Sequence, residues 1–499
     1  MADTNHTSVG GEMATVAEEL TDVERIERAR DDRTPLPTVT PTGTEPTALA
    51  PMTQRRVLGL AFPIIGENLL QTMVGAVDTF MVARLGSVAV AGVGTSIELV
   101  FFLISVLMAV EIGATVLVSQ AIGAGDAARA NRLARQAVVW GVLLAIPVSL
   151  LGTLAAPAII GLFGTEPDVA AAATTYLEIT AATSVVLLLS FVGGAVLRGA
   201  GDSRTPLVAA MLANVINVVV AYGLIFGHFG LPALGIAGSA WGAAAGRAAG
   251  AALLMALLLR GHRAISIRGR SGWLPHLETA RQLMRLGVPA AVEQMLMAAG
   301  FTTLIAVVTL IGTAALASQQ IGFTALSIAF LPGFGFAIAS TALVGQSIGA
   351  RDPAAAREAV RIALRWAIGW MIAGGLIYFV FARQTMMIFT DDTAVIEQGA
   401  MAMRALSVGL PFWAIWAVCG GALRGSGDTR TPMVTSTLII WVAVVLAYVA
   451  VRWFDGGMGT VWLMFFFTVP LGALANWLML RRRLGRALPL DPLVPTVTH

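Results

Sequence analysis

Glu67 and Asp78 stand 11 residues apart inside one apolar stretch of the chain. On a helix of 3.6 residues per turn, that spacing puts them within about 20° of each other and ~16 Å apart along the axis. Gln71 falls on the same stripe. Carboxylates shielded from water can take up a proton near neutral pH. Grouped with amide oxygens, they can instead hold a hard cation such as Na⁺. Asn214 and Asn217, in another apolar stretch, supply such amides. The chemistry these residues suggest is the loading and release of H⁺ or Na⁺, with Asp78 as the principal group.

Charge at membrane depth is expensive and needs a reason wherever it occurs. Glu111 and Glu293 are further acidic candidates lining a cavity, and Glu178, Arg247 and Arg404 also interrupt apolar runs. The elements that carry them are transmembrane. The chain is 57% hydrophobic and 12% charged, with mean hydropathy +0.80, whereas soluble domains carry about 25% charged residues. Apolar stretches recur, each long enough to cross a ~30 Å hydrocarbon core as a helix. All 32 basic residues are Arg, so a Walker A phosphate loop and lysine Schiff-base chemistry are excluded. No metal-ligand spacing of His or Cys is present, no cofactor is expected, and the single Cys419 allows no internal disulfide.

The string LRGAGDSRTP at 197–206 returns as LRGSGDTRTP at 423–432, an offset of 226 residues. At the same offset VSQAIGAGD (118–126) matches VGQSIGARD (344–352), and LAFPIIGE (60–67) matches LGVPAAVE (286–293), placing Glu67 on Glu293. A duplicated unit follows. Six spans per half are expected, at about 57–82, 94–120, 137–162, 172–197, 206–227 and 236–259, then 286–310, 320–346, 363–383, 397–422, 432–452 and 460–480. The predicted fold is an all-α membrane protein of twelve transmembrane helices in two pseudo-symmetric six-helix bundles with a central cleft. Its parts are a disordered cytoplasmic tail (1–52), a first bundle (53–260), a cytoplasmic linker (261–285), a second bundle (286–486) and a cytoplasmic tail (487–499). The first tail holds ten acidic residues and no apolar signal-peptide core.

Alternate loops gather 23 Arg, and the intervening ones hold only Arg84, Arg383 and Arg452. Cytoplasmic loops concentrate basic residues, so both termini are expected inside a plasma or inner membrane. The duplicated LRGxGD loops then lie on the cytoplasmic side. Arg198, Asp202, Arg424 and Asp428 are candidates for an inner gate whose charges re-pair; as plain hairpin turns they would carry Arg snorkelling to the surface. Two halves entering the membrane in the same direction can rock about a cleft. In span 6, Gly238, Gly242, Gly246 and Gly250 recur every four residues, a spacing that lets helices approach closely.

Twelve spans, the duplicated LRGxGDxxTP loop, VDTFMVARLG (77–86) and SQAIGAGD (119–126) together resemble the multidrug and toxic compound extrusion (MATE) family. The resemblance covers nearly everything after residue 52. It implies a two-lobed antiporter that expels organic, often cationic, compounds in exchange for H⁺ or Na⁺, and it supports Asp78 as the coupling group. It also exposes a departure, because many prokaryotic members carry a second Asp where this chain has Ala221. The expected partners are small organic substrates and membrane lipid, with no nucleic acid, and the chain is expected to act as a monomer. A flippase for a lipid-linked anionic precursor is the alternative, though only Arg247 and Arg404 lie at membrane depth to line such a cavity. An embedded enzyme is disfavoured, because all five His fall in tails or loops.

Overall fold

The computed structural model describes residues 51–263, 265–269 and 271–485. The expected tails therefore lie outside the described residues, apart from Pro51 and Met52. Among the described residues fifteen helices follow one another: α1 Gln54–Ala83, α2 Ser87–Gly123, α3 Ala127–Leu154, α4 Ala156–Gly161, α5 Pro167–Ala182, α6 Ser184–Gly199, α7 Arg204–Phe226, α8 Ile236–Arg260, α9 Leu277–Thr309, α10 Thr313–Gly349, α11 Pro353–Val380, α12 Ala382–Met387, α13 Thr393–Gly425, α14 Arg430–Phe454 and α15 Met458–Gly485. Eleven are long and apolar enough to span a bilayer, and α5 with α6 makes a twelfth span bent by 50°. The chain is an all-α, twelve-span membrane protein.

Local chemistry sets the boundaries. Gly86 (φ 105°) and Gly312 (φ 134°) are repeat-related and turn the chain into α2 and α10, a backbone region that L side chains avoid. Asp126 and Asp352, also one repeat apart, cap α3 and α11 by accepting from Arg129 N at 2.7 Å and Ala355 N at 2.8 Å. The fourth span was expected to be continuous over 172–197, but it breaks at Thr183. Its hydroxyl bonds back to the Ile179 carbonyl at 2.8 Å, a local competition that bends helices.

The linker expected over 261–285 is helical from Leu277 onward. Apolar length alone missed these turns, because Glu278, Arg281 and Arg285 give their outer face a polar character. Leu283 on the inner face is fully buried. The remainder is strapped onto α3: Arg135 donates to the Arg268 carbonyl at 3.2 Å, Gln136 to Gly272 and Leu274 carbonyls at 2.8 and 2.7 Å, and Asn131 accepts from Ser266 N at 2.7 Å.

Packing does not respect the sequence midpoint at the arginine-rich end. The first turns of α1 (Val57, Leu60, Ala61, Ile64) share a core with Phe336, Leu343 and Ala414 of the second half. Reciprocally, Leu283 of α9 sits in a core with Leu107, Val110 and Leu117 of α2. Glycine makes the crossing possible, since a Cβ on Gly287 would run into the Ala109 carbonyl of α2.

Candidate functional site

In the first half, α8 is pressed against α7 by its glycine stripe. A side chain on Gly238, Gly242, Gly246 or Gly250 would meet α7 at Leu224, Ala221, Asn217 or Ala209 in turn. Asn217 is buried, and its amide donates to Asp78 Oδ2 of α1 at 3.0 Å. Asp78 Oδ1, Asn217 Oδ1 and Asn214 Nδ2 are buried with no protein partner. Tyr176 of α5 and Arg247 of α8 lie close enough to interact electrostatically with Asp78. Unused oxygens beside a carboxylate can accept a proton or contribute to a cation shell. Ala221 packs against Gly242 of α8 and is fully buried. Gln71 is exposed.

Glu67 stands apart from Asp78 in its contacts. Arg198 of α6 donates to Glu67 Oε2 at 3.1 Å and, through its other amino group, to Glu111 Oε1 of α2 at 2.7 Å. One repeat later, Arg424 of α13 donates to Glu293 Oε1 of α9 at 2.6 Å, and the Ser436 hydroxyl donates to the same oxygen at 2.6 Å. Glu293 is 1% exposed and its Oε2 has no partner. A cavity of about 230 Å³ lies between these two ion pairs, lined by Glu111 and Arg198 on one side and Glu293 and Arg424 on the other. Met108, Met297, Phe334 and Trp416 supply apolar wall.

The arginines of the LRGxGD loops do not meet the aspartates of the same loops. Arg198 is 6% exposed and turns inward to its carboxylates rather than snorkelling to the surface. Asp202 instead caps α7, accepting from the amides of Arg204 and Thr205, the Thr205 hydroxyl at 2.6 Å and His262 at 2.8 Å. Burial alone would push its pKa up, but these hydrogen bonds outweigh it and hold Asp202 below the usual carboxylate range. Asp428 accepts from the Thr431 hydroxyl at 2.8 Å, with Arg483 at 3.8 Å.

Residues that the charge reading passed over link the halves. Gln120 Nε2 donates to the Gly425 carbonyl at 3.1 Å, and its repeat mate Gln346 donates to the Gly199 carbonyl at 2.9 Å. Arg56 donates to Gln346 Oε1 at 2.8 Å. For Gln120 and Gln346 the only signal was their place in the duplicated SQAIGAGD and GQSIGARD strings. Glu178 and Arg404 make no ion pair with one another; Arg404 is exposed and donates to the Phe379 carbonyl at 3.4 Å.

A family model for MatE matches this chain twice, over residues 63–223 and 289–449. The chain belongs to the MatE family. Its two matched segments start at Pro63 and Pro289, one repeat apart. It is 31% identical over 420 residues to the probable multidrug resistance protein NorM of Thermotoga maritima, spanning 83% of this chain and 89% of that one. It is also 31% identical over 456 residues to the probable multidrug resistance protein NorM of Rhizobium meliloti, spanning 87% and 95%. A crystal structure of a MATE transporter in complex with MaL6 superposes with a TM-score of 0.82 at 20% identity, covering 87% of this chain and 97% of the other. This MatE protein is a transporter and not an enzyme.

Proposed function

We propose that the chain is a secondary active antiporter exporting organic, cationic or amphipathic compounds from the cytosol in exchange for H⁺ or Na⁺. The observation that carries this reading is the Asp78–Asn217 pair, a carboxylate inside a transmembrane helix with unused oxygens beside it. The family and the names of its multidrug-resistance relatives support the cargo class.

With the arginine-rich end in the cytoplasm, the Gln120 and Gln346 contacts form the inner seal of an alternating-access cycle. Loading an ion at Asp78 removes a negative charge from the first half. The bound ion then biases the two-state equilibrium through its different affinity for each state, and the gradient sets on which side it loads. The test is cellular accumulation of ethidium in cells expressing Asp78→Asn, which is expected to equal that of cells lacking the transporter. Wild-type efflux by this variant would sink the assignment. Proteoliposomes given separate pH and Na⁺ gradients identify the ion.

An anionic lipid precursor fits less well. Among the described residues, the guanidiniums lining the cavity, Arg198 and Arg424, are already paired with Glu67, Glu111 and Glu293. Recognition of a pyrophosphate needs free Arg or Lys donors.

A further inference from the structure

Near the start of α3, Arg129, Arg132 and Arg135 follow at intervals of three and share one side of the helix. Their repeat mates on α11 are Ala355, Glu358 and Arg361. In the second half Arg361 is exposed and donates to Glu358, an ordinary surface pair. In the first half Arg132 stands where that glutamate would be, and Arg135 is only 8% exposed. Among the described residues none of the three first-half arginines forms an ion pair. Asp126 is engaged in capping α3. Residues 261–276, which pack against α3, contain no acid, and the first acid after them is the exposed Glu278.

Arg135 is therefore a buried cation without a counter-charge. Two of its five N–H groups reach the Ser271 and Arg268 carbonyls, and its Nε is buried with no partner. Carbonyl dipoles solvate a guanidinium but do not neutralise it, and an uncompensated charge is costly in a low dielectric. A Cβ added to Gly272 would lie 3.4 Å from Arg135 Nη1 and 3.9 Å from Arg132 Cγ, so both arginines flank one point of this loop.

That point sits at the edge of the hydrocarbon. From Ala137 to Thr165 the chain carries no charge, which makes Arg135 the last ion before the bilayer core. Gln136 holds the loop at the same level through the Gly272 and Leu274 carbonyls and the His276 amide. Beside it Leu274 and Leu277 are 85% and 76% exposed. Cations and bare leucines side by side match the boundary between headgroups and acyl chains.

We propose that Arg132, Arg135 and this loop bind the phosphate of an anionic phospholipid in the leaflet at the arginine-rich end. The phosphate lies between the two arginines and supplies the missing negative charge. The acyl chains pass Leu274 and Leu277 into the bilayer. The lipid thereby pins the connection between the two halves to α3, whichever compound and ion the protein moves.

The test is titration of phosphatidylglycerol into the purified full-length protein in neutral detergent, with bound lipid counted by native mass spectrometry. Arg132→Gln and Arg135→Gln are each expected to weaken Kd about fivefold. Arg361→Gln, which removes the same charge from the repeat-related position, should stay within twofold of wild type. Should Arg135→Gln fail to fold, Arg132→Gln decides alone. A Kd within twofold of wild type for the folded α3 variants overturns the site. An equal loss in Arg361→Gln also overturns it, by showing attraction to basic surface in general. Displacement of the lipid by inorganic phosphate at equal concentration would make this a free-anion site and overturn the lipid assignment.

Discussion

Arg198 donates to Glu67 at 3.1 Å, and one repeat of 226 residues later Arg424 donates to Glu293 at 2.6 Å. The duplication thus preserved an ion pair between the first helix of each half and the end of its fourth span. It did not preserve the surroundings. Arg198 has a second carboxylate in Glu111, whereas the repeat-related position on α10 is Ala337, and it is Glu293 that gains a second partner, accepting from the Ser436 hydroxyl.

That asymmetry separates the two pairs energetically. Arg424→Met leaves Glu293, 1% exposed, without its cation. Breaking a buried pair costs about 3–5 kcal/mol, and the low end is expected because Arg424 itself is 21% exposed. Arg424→Met/Glu293→Gln should recover most of the loss. Glu67→Gln should cost about half as much, since Arg198 keeps Glu111. Thermal unfolding in detergent measures all three.

Closure of the arginine-rich end depends on glycine. A Cβ on Gly349 would run into the Gln120 carbonyl, and one on its repeat mate Gly123 into the Gln346 carbonyl. Gly123→Ala or Gly349→Ala should therefore hold the α2–α10 crossing apart and open this end to water. Cys419 is the only native cysteine and is buried. A cysteine placed at Thr341 in the cavity wall then reports accessibility with little background. Its labelling rate by a charged maleimide should rise about tenfold, and an unchanged rate would show that the crossing tolerates the methyl.

Asp202 gives a pH dependence with a definite sign. Its pKa in the folded protein lies below the unfolded value because its hydrogen bonds favour the charged form. Such a group contributes stability above the unfolded pKa of about 3.9, and the contribution is lost as pH falls through the lower folded value. The melting-temperature gap between wild type and Asp202→Asn should be full near neutrality and close below about pH 4. A gap that widens in acid would contradict the assignment.

Restoring the second family aspartate should harm this chain. Ala221 is fully buried, with Gly242 of α8 packed against it and Met81 of α1 in the same apolar cluster. Ala221→Asp is expected to destabilise by at least ~2 kcal/mol and to leave efflux no better than wild type. Gained efflux at unchanged stability would show that the α7–α8 contact can open.

Much of the architecture was legible in the chain. Span number, the duplication and the helix caps follow from apolar length, a constant offset and residues such as Gly86, Asp126 and Asp352, all local or linear properties. The meeting of Asp78 with Asn217 was also foreseeable, because both are polar groups inside apolar spans of one half. The break at Thr183 was not legible, since a hydroxyl bonding its own helix has the same sequence signature as one that does not. The start of α9 at Leu277 was hidden because the polar turns beyond the hydrocarbon carry no hydropathy signal.

The linear order of residues determined that this protein spans the membrane twelve times as a repeated unit with acids at depth, because burying a backbone and a charge in oil admits few solutions. Only the tertiary structure decided which charge meets which. Arg198 is as near in sequence to Asp202 as one helical turn, yet its partners lie 131 and 87 residues away. A side chain 6% exposed to solvent is oriented by the helices that enclose it, and the crossing of α1 and α9 into opposite halves is a property of packed surfaces that no single segment encodes.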